Sequence, residues 1–143
     1  MGPGSRAFLL DNNVFVSAIK EPVRETATLR LILKIVRDRK VRLVGNEFLL
    51  EGMARYAEAF RSETASLLLF ALISKMKVVE VRKKYIRICR SYMDTEDLAD
   101  VVHVATCLQA DAVLISNDRH FDPVREEGIV EVWSTAKAIK NLL

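Results

Sequence analysis

Cysteine is scarce in this chain of 143 residues, where only Cys89 and Cys107 occur. With no second pair and no zinc-ligand spacing around them, a disulfide framework and a zinc site find no support. Each thiol lies in an apolar, helix-like context and reads as a small core residue in a reduced, intracellular setting. Long apolar runs are also lacking. The greasiest segment, Ala65 to Ile73, is far short of the roughly 20 residues a membrane span requires, so no membrane is expected. Met1-Gly2-Pro3-Gly4-Ser5 has neither the basic start nor the apolar stretch of a secretory signal, and residues 1–5 read as a cloning remnant. There is no internal repeat, low-complexity tract or linker.

Strong charge of one sign is missing too. Lysine and arginine number 22 against 19 aspartates and glutamates, a formal net charge of +3. The isoelectric point near 9.0 leans mildly toward an anionic partner, which concerns association rather than fold. A hydrophobic share of 50% beside 29% charged residues is globular composition. The length suits one domain over 6–143, large enough to bury about two-thirds of its unfolded surface.

Four short apolar or β-branched runs read as strands: Ala7 to Leu10, Val41 to Val44, Val78 to Val81 and Ala112 to Ile115. A fifth, Ile129 to Trp133, follows Gly128. They show little alternation, as strands buried on both faces should. Segments of helical period separate them. Thr26 to Arg39 carries Leu29, Ile32, Leu33 and Val36 on one face. Asn46 to Phe60 opens on a cap and carries Phe48, Leu49, Met53 and Tyr56. Glu63 to Met76 is apolar nearly all round, which places it deep in the core or against a partner. Lys83 to Met93 and Glu96 to Gln109 form a further pair, and Ser134 caps a closing helix. This alternation predicts a three-layer α/β/α sandwich with a central, mainly parallel five-stranded sheet.

Acids stand where such a sheet carries its functional crevice, outside the carboxyl ends of the strands. Asp11 follows the first strand directly, although an aspartate there also suits the cap of a helix beginning near Asn13. Asp118 closes the loop Ser116-Asn117-Asp118 after the fourth strand, a sequence that equally suits a turn. Glu51 falls one turn into the helix after the second strand, with Glu47 four residues earlier at the favoured place for a first-turn charge. Asp97 and Asp100 are neighbours on the helix Glu96 to Gln109. With Asp94 at its cap, Asp97 fits the third position of a capping box, and Asp100 is expected beyond the first turn. Convergent carboxylates repel unless a cation or a shared proton offsets them. Hard oxygen ligands point to Mg²⁺ or Mn²⁺.

These residues together resemble the PIN domain: Asp11-x-Asn13-Val14-x-x-Ser17, then Glu51, then Asp100-x-x-His103-x-Ala105, then Ser116-Asn117-Asp118-x-x-Phe121. The resemblance runs from Arg6 to the last helix. It implies a metal-dependent endoribonuclease, such as the toxins of VapBC-type toxin–antitoxin pairs or their RNA-processing relatives. The reaction implied is hydrolysis of an RNA phosphodiester to a 3′-hydroxyl and a 5′-phosphate. Asp11, Glu51, Asp100 and Asp118 would be the catalytic acids and the ligands of one or two Mg²⁺ or Mn²⁺ ions. Asn13 and Ser17 would support the first acid, Ser116 stands where threonine is common, and Asp97 is an additional carboxylate.

The basic residues are read from position alone. Arg119, beside Asp118, is favoured as the RNA phosphate contact over the cluster Arg82, Lys83, Lys84, Arg87 and Arg90, which also reads as a solvated helix face. Asn117 would add an amide oxygen or a phosphate contact, and His103 reads as structural. The partners expected are RNA, an antitoxin protein and a second copy in a homodimer, in the cytoplasm. The helix around Leu67 to Ile73 suits such an interface or plain core packing. The alternative is a catalytically inactive PIN-like RNA- or protein-binding module. A magnesium phosphatase fits less well, since Asn13 stands where its second aspartate belongs. A receiver-type phosphoacceptor would want a lysine that the Ser116 to Asp118 loop lacks.

Overall fold

The computed structural model describes residues 6–20 and 26–143. The segment 1–5, read above as a cloning remnant, lies outside the described residues. Five strands, β1 (Arg6–Leu10), β2 (Val41–Gly45), β3 (Lys77–Val78), β4 (Ala112–Ile115) and β5 (Val132–Trp133), form one sheet in the order β3-β2-β1-β4-β5. Every pairing is parallel. Phe8, Leu9 and Leu10 are covered on both faces of the sheet, as are Val113, Leu114 and Ile115. That burial explains their unbroken apolar runs.

From β1 the chain steps outward to β2 and β3, then returns to place β4 on the other side of β1. Right-handed crossovers therefore put the helices of the two halves on opposite faces. The first half supplies α1 (Asn12–Ile19), α2 (Ala27–Arg37), α3 (Glu47–Phe60) and α4 (Glu63–Lys75). The second supplies α5 (Lys83–Tyr92), α6 (Leu98–Ala110) and α7 (Asp122–Glu126), and α8 (Thr135–Leu142) closes against α2. The reversal of direction falls between β1 and β4, where a sheet of this kind opens a crevice at its carboxyl edge. No helix among the described residues is long and apolar enough to cross a membrane.

Several boundaries differ from the sequence reading for identifiable reasons. The third strand begins earlier and ends at Val78, although Val79 N–H still reaches the Gly45 carbonyl at 2.8 Å. Beyond it the Gln109 side chain takes over as pairing partner. Its amide donates to the Glu80 carbonyl at 3.1 Å, and its oxygen accepts from Arg82 N–H at 2.8 Å. The fifth strand is shortened because Ile129 N–H completes the turn after α7 by donating to the Val124 carbonyl. A short 3₁₀ turn over Arg119–Phe121, which periodicity does not reveal, precedes α7.

The helix buried most completely is α6, where everything from Val101 to Cys107 is covered, while Leu98 at its first turn is exposed. The apolar α4 buries only Ala65, Leu68 and Leu72. Its Leu67, Phe70 and Ile73 are 63%, 73% and 42% exposed. Of the large apolar residues that α3 carries, Leu49 and Met53 are buried while Phe48 and Tyr56 are turned outward.

A buried polar triad fixes how α3 meets α6. Asn46 caps α3 by accepting from Leu49 N–H at 2.9 Å. Its amide group donates to the Thr106 hydroxyl at 2.9 Å and lies 3.0 Å from His103 Nδ1. Thr106 in turn donates to the Val102 carbonyl. Since the Asn46 amide can only donate there, His103 accepts at Nδ1 and is neutral. Burial pushes its pKa down to about 4.

Candidate active site

β1 and β4 run in register, with Leu10 opposite Ile115, so the next residues, Asp11 and Ser116, emerge side by side. Asp11 N–H donates to the Ile115 carbonyl at 3.1 Å, continuing the ladder by one bond. The Ser116 hydroxyl donates to Asp11 Oδ2 at 2.7 Å. Asn12 N–H donates to Oδ1 at 2.8 Å, so Asp11 both caps α1 and faces the crevice. Ser116 Oγ also accepts from Asp118 N–H at 3.0 Å. One hydroxyl thus links the acids that follow two adjacent strands.

Asp11, Asn13, Glu51, Asp100 and Asp118 line a single cleft of about 350 Å³, together with Asn12, Phe48, Arg55 and Tyr56. Asp11 is buried, Asp100 and Asp118 are partly covered, and Glu51 on α3 is exposed. The helix α6 starts at Leu98, with Asp97 as its cap accepting from Ala99 N–H at 3.0 Å. The cap is therefore Asp97 rather than Asp94, and Asp100 belongs to the first turn. Shortening the helix by two residues aims Asp100 into the cleft from the positive end of α6, where the dipole favours a carboxylate.

Burial pushes the Asp11 carboxyl up to about 6 against the opposing hydrogen bonds from Ser116 and Asn12, with Asp100 and Asp118 adding repulsion. Asp100 is raised for the same reason, burial first and the charge of Asp97 second. His120 Nδ1 lies 3.2 Å from Asp100 Oδ2 and 3.4 Å from Asp118 Oδ1, the place a positive partner would take. Donor atoms of Asp100, Asp118 and His120 all fall within 4.8 Å of one another. A hard cation with bonds of about 2.1 Å would hold neighbouring donors roughly 3 Å apart. The carboxylate-rich set, the mutual repulsion of its acids and these spacings fit Mg²⁺ or Mn²⁺.

The remaining positions divide. Asn13 is exposed at the rim, and Ser17 is exposed further along α1; among the described residues the hydrogen bonds to Asp11 come from Ser116 and Asn12. Asn117 turns its amide to α8, donating to the Thr135 hydroxyl and accepting from Thr135 N–H at 2.9 Å. It is engaged in closing the fold. Arg119 is exposed beside the acids but outside the cleft lining. The cation within the cleft is Arg55, which the sequence reading passed over. Its signal was its place four residues after Glu51, hence on the same helical face.

A PIN domain family model matches residues 8–127. No curated protein sequence matches the chain. Among solved structures, VapBC2 from Rickettsia felis bound to a DNA fragment from its promoter superposes with a TM-score of 0.65 at 12% identity, over 90% of this chain and 98% of that one. VapBC-1 from nontypeable Haemophilus influenzae gives 0.61 at 15% identity, over 92% and 99%. FitAcB from Neisseria gonorrhoeae gives 0.56 at 18% identity, over 90% and 98%.

Proposed function

We propose, from the premise that this chain belongs to the PIN domain family, that it is a metal-dependent endoribonuclease and the toxin of a toxin–antitoxin pair. The observation that carries the reading is that Asp11, Glu51, Asp100 and Asp118 line one cleft at the carboxyl ends of β1 and β4. The likeness to VapBC and FitAcB structures supports the toxin assignment and an antitoxin partner. RNA and a second copy of the chain would be its other partners, in the cytoplasm, with residues 6–143 forming one nuclease domain.

Asp11, Asp100, Asp118 and Glu51 would hold Mg²⁺ or Mn²⁺. When bound, such an ion would supply Lewis-acid activation of water and offset of charge on the phosphoryl group. The chain's own residues hold the rest of the arrangement. Ser116 and Asn12 N–H each fix one oxygen of Asp11 and oppose the burial that would protonate it. His120 spans Asp100 and Asp118. Arg55 in the cleft and Arg119 at its rim would contact phosphate oxygens. The outward-facing Phe48 and Tyr56 offer surfaces on which unpaired bases stack. Hydrolysis would leave a 3′-hydroxyl and a 5′-phosphate.

The test is incubation of the purified protein with labelled single-stranded RNA in Mn²⁺, Mg²⁺ or EDTA, beside Asp11→Asn. Cleavage that needs the metal and is lost in the variant is the result expected. A folded, metal-binding protein that leaves RNA intact would favour the inactive binding module instead.

A further inference from the structure

The acids of the cleft repel the polyanion they are proposed to cut, so affinity must come from elsewhere on the surface. Arg82, Lys83, Lys84, Arg87 and Arg90 contribute five positive charges, with no acid between Val81 and Asp94. The whole chain carries +3, so the rest of the protein is net −2. The densest run of positive charge in the chain is therefore α5 with its cap. All five side chains are exposed, and among the described residues none forms an ion pair. With a turn of about 100° per residue, Lys83, Lys84, Arg87 and Arg90 fall within an arc of roughly 120°. Cys89 faces the core on the opposite side. Two lysines in the first turn also sit at the end of the dipole that disfavours cations.

The helix is oriented toward the site. Its start is tied to the far end of α6 through the Gln109 bonds to Glu80 and Arg82. Its end, at Tyr92, leads through a short connection to Asp97 and Asp100. It also packs on α7, which follows Asp118 and His120. Tyr92, 40% exposed, and Ile88, 44% exposed, add an aromatic and an apolar surface near the cleft end.

We infer that α5 is the track on which single-stranded RNA is held by its phosphates and led into the cleft. The inference rests on the nuclease reading for its substrate, but its test does not depend on turnover. Phosphate contacts of this kind release counterions, so affinity falls with salt at about 0.7 logarithmic units per contact on a single strand.

The experiment is fluorescence anisotropy of a labelled single-stranded RNA oligonucleotide, in EDTA and over a range of salt. It compares the wild type with Lys83→Gln/Arg87→Gln/Arg90→Gln and with Arg37→Gln/Arg39→Gln/Lys40→Gln. The second variant removes the same charge from an exposed site at the end of α2. Circular dichroism confirms that all three are folded. The α5 variant is expected to lose roughly 10- to 100-fold in affinity near 0.1 M salt and about 2 units of salt slope, while the α2 variant stays near the wild type.

Equal losses in both variants, an unchanged α5 variant, or no RNA binding by the wild type would each overturn the track. Retention on phosphatidylserine vesicles that disappears in the α5 variant, with RNA affinity untouched, would reassign the face to a membrane surface. A wild type that binds RNA through α5 yet never cleaves it with Mn²⁺ would remove the nuclease reading and leave the track standing.

Discussion

Ser116 donates its hydroxyl to Asp11 Oδ2 at 2.7 Å across two neighbouring parallel strands, and the same oxygen accepts from Asp118 N–H at 3.0 Å. The serine is thus a brace between a carboxylate that burial would neutralise and the loop that carries its partner acid.

Replacing Asp11 by Asn is expected to abolish cleavage and to raise stability. The folded carboxyl, lifted from 3.8 to about 6, binds its proton more tightly than the unfolded one. Its contribution is full below pH 3.8 and is lost as pH rises through 6. At pH 7 the ionised group costs up to about 3 kcal/mol. Urea unfolding in EDTA measures the gain, and Mn²⁺ should raise the midpoint of the wild type far more than that of the variant. A variant no more stable than the wild type contradicts the burial argument.

Ser116→Ala removes an interaction that lowers the Asp11 pKa, so the acid limb of the pH–rate profile should move to higher pH. The rate at neutral pH should drop about 2- to 10-fold, the equivalent of one net hydrogen bond. Ser116→Thr keeps the hydroxyl and should restore both. A Thr variant as impaired as Ala would show that the hydroxyl is not what matters.

The triad Asn46, His103 and Thr106 should make the fold sensitive to acid. His103 is pushed down from 6.5 to about 4, so the unfolded chain takes up the proton first. Stability present above pH 6.5 is then lost as pH falls through 4, by roughly 3 kcal/mol at most. Asp11 acts in the opposite direction over much of that window, so the two slopes offset in the wild type. Asp11→Asn should expose the His103 slope, and a flat profile in that variant between pH 6.5 and 4 would count against it.

Gly52 on α3 lets Asn12 approach. A Cβ at Gly52 would lie 2.0 Å from Asn12 Nδ2. Gly52→Ala should destabilise by about 1–3 kcal/mol through overpacking, with a matching loss of activity as the residue after Asp11 is displaced. The Asn12 amide oxygen is buried without a partner, so Asn12→Ala should cost little. In that background Gly52→Ala should reverse sign and stabilise by up to about 1 kcal/mol, the helix preference of alanine over glycine. Additive effects of the two substitutions would refute the contact.

The central part of this fold was legible in the chain because burial on both faces leaves an unmistakable trace. Ala7 to Leu10 and Ala112 to Ile115 are unbroken apolar runs, and each is followed within a few residues by an acid that the sheet then brings to one edge. The peripheral elements were not, because their limits are set by tertiary partners. Val79 and Val81 look like strand but lean on the core after Gln109 has ended the pairing. Asp94, Asp97 and Asp100 all suit a helix start, and local preference does not rank them. The apolar pattern of α4 does not say which side faces out. Arg55 enters the cleft through the angle of a helix, and His120 reaches Asp100 and Asp118 from a 3₁₀ turn, neither of which has a sequence period of its own.

The bond between Ser116 and Asp11 spans 105 positions of chain, and that separation has a consequence in time. A polypeptide still being synthesised can form β1, α3 and β2, yet it possesses only Asp11 and Glu51. Asp100 arrives on a helix that needs β1, β2 and β4 beneath it, and Asp118 only after β4 itself. Contacts of such long range form late. The cluster of carboxylates therefore comes together near the end of folding, and chains interrupted before β4 lack both Asp118 and a strand that α6 needs to seat Asp100.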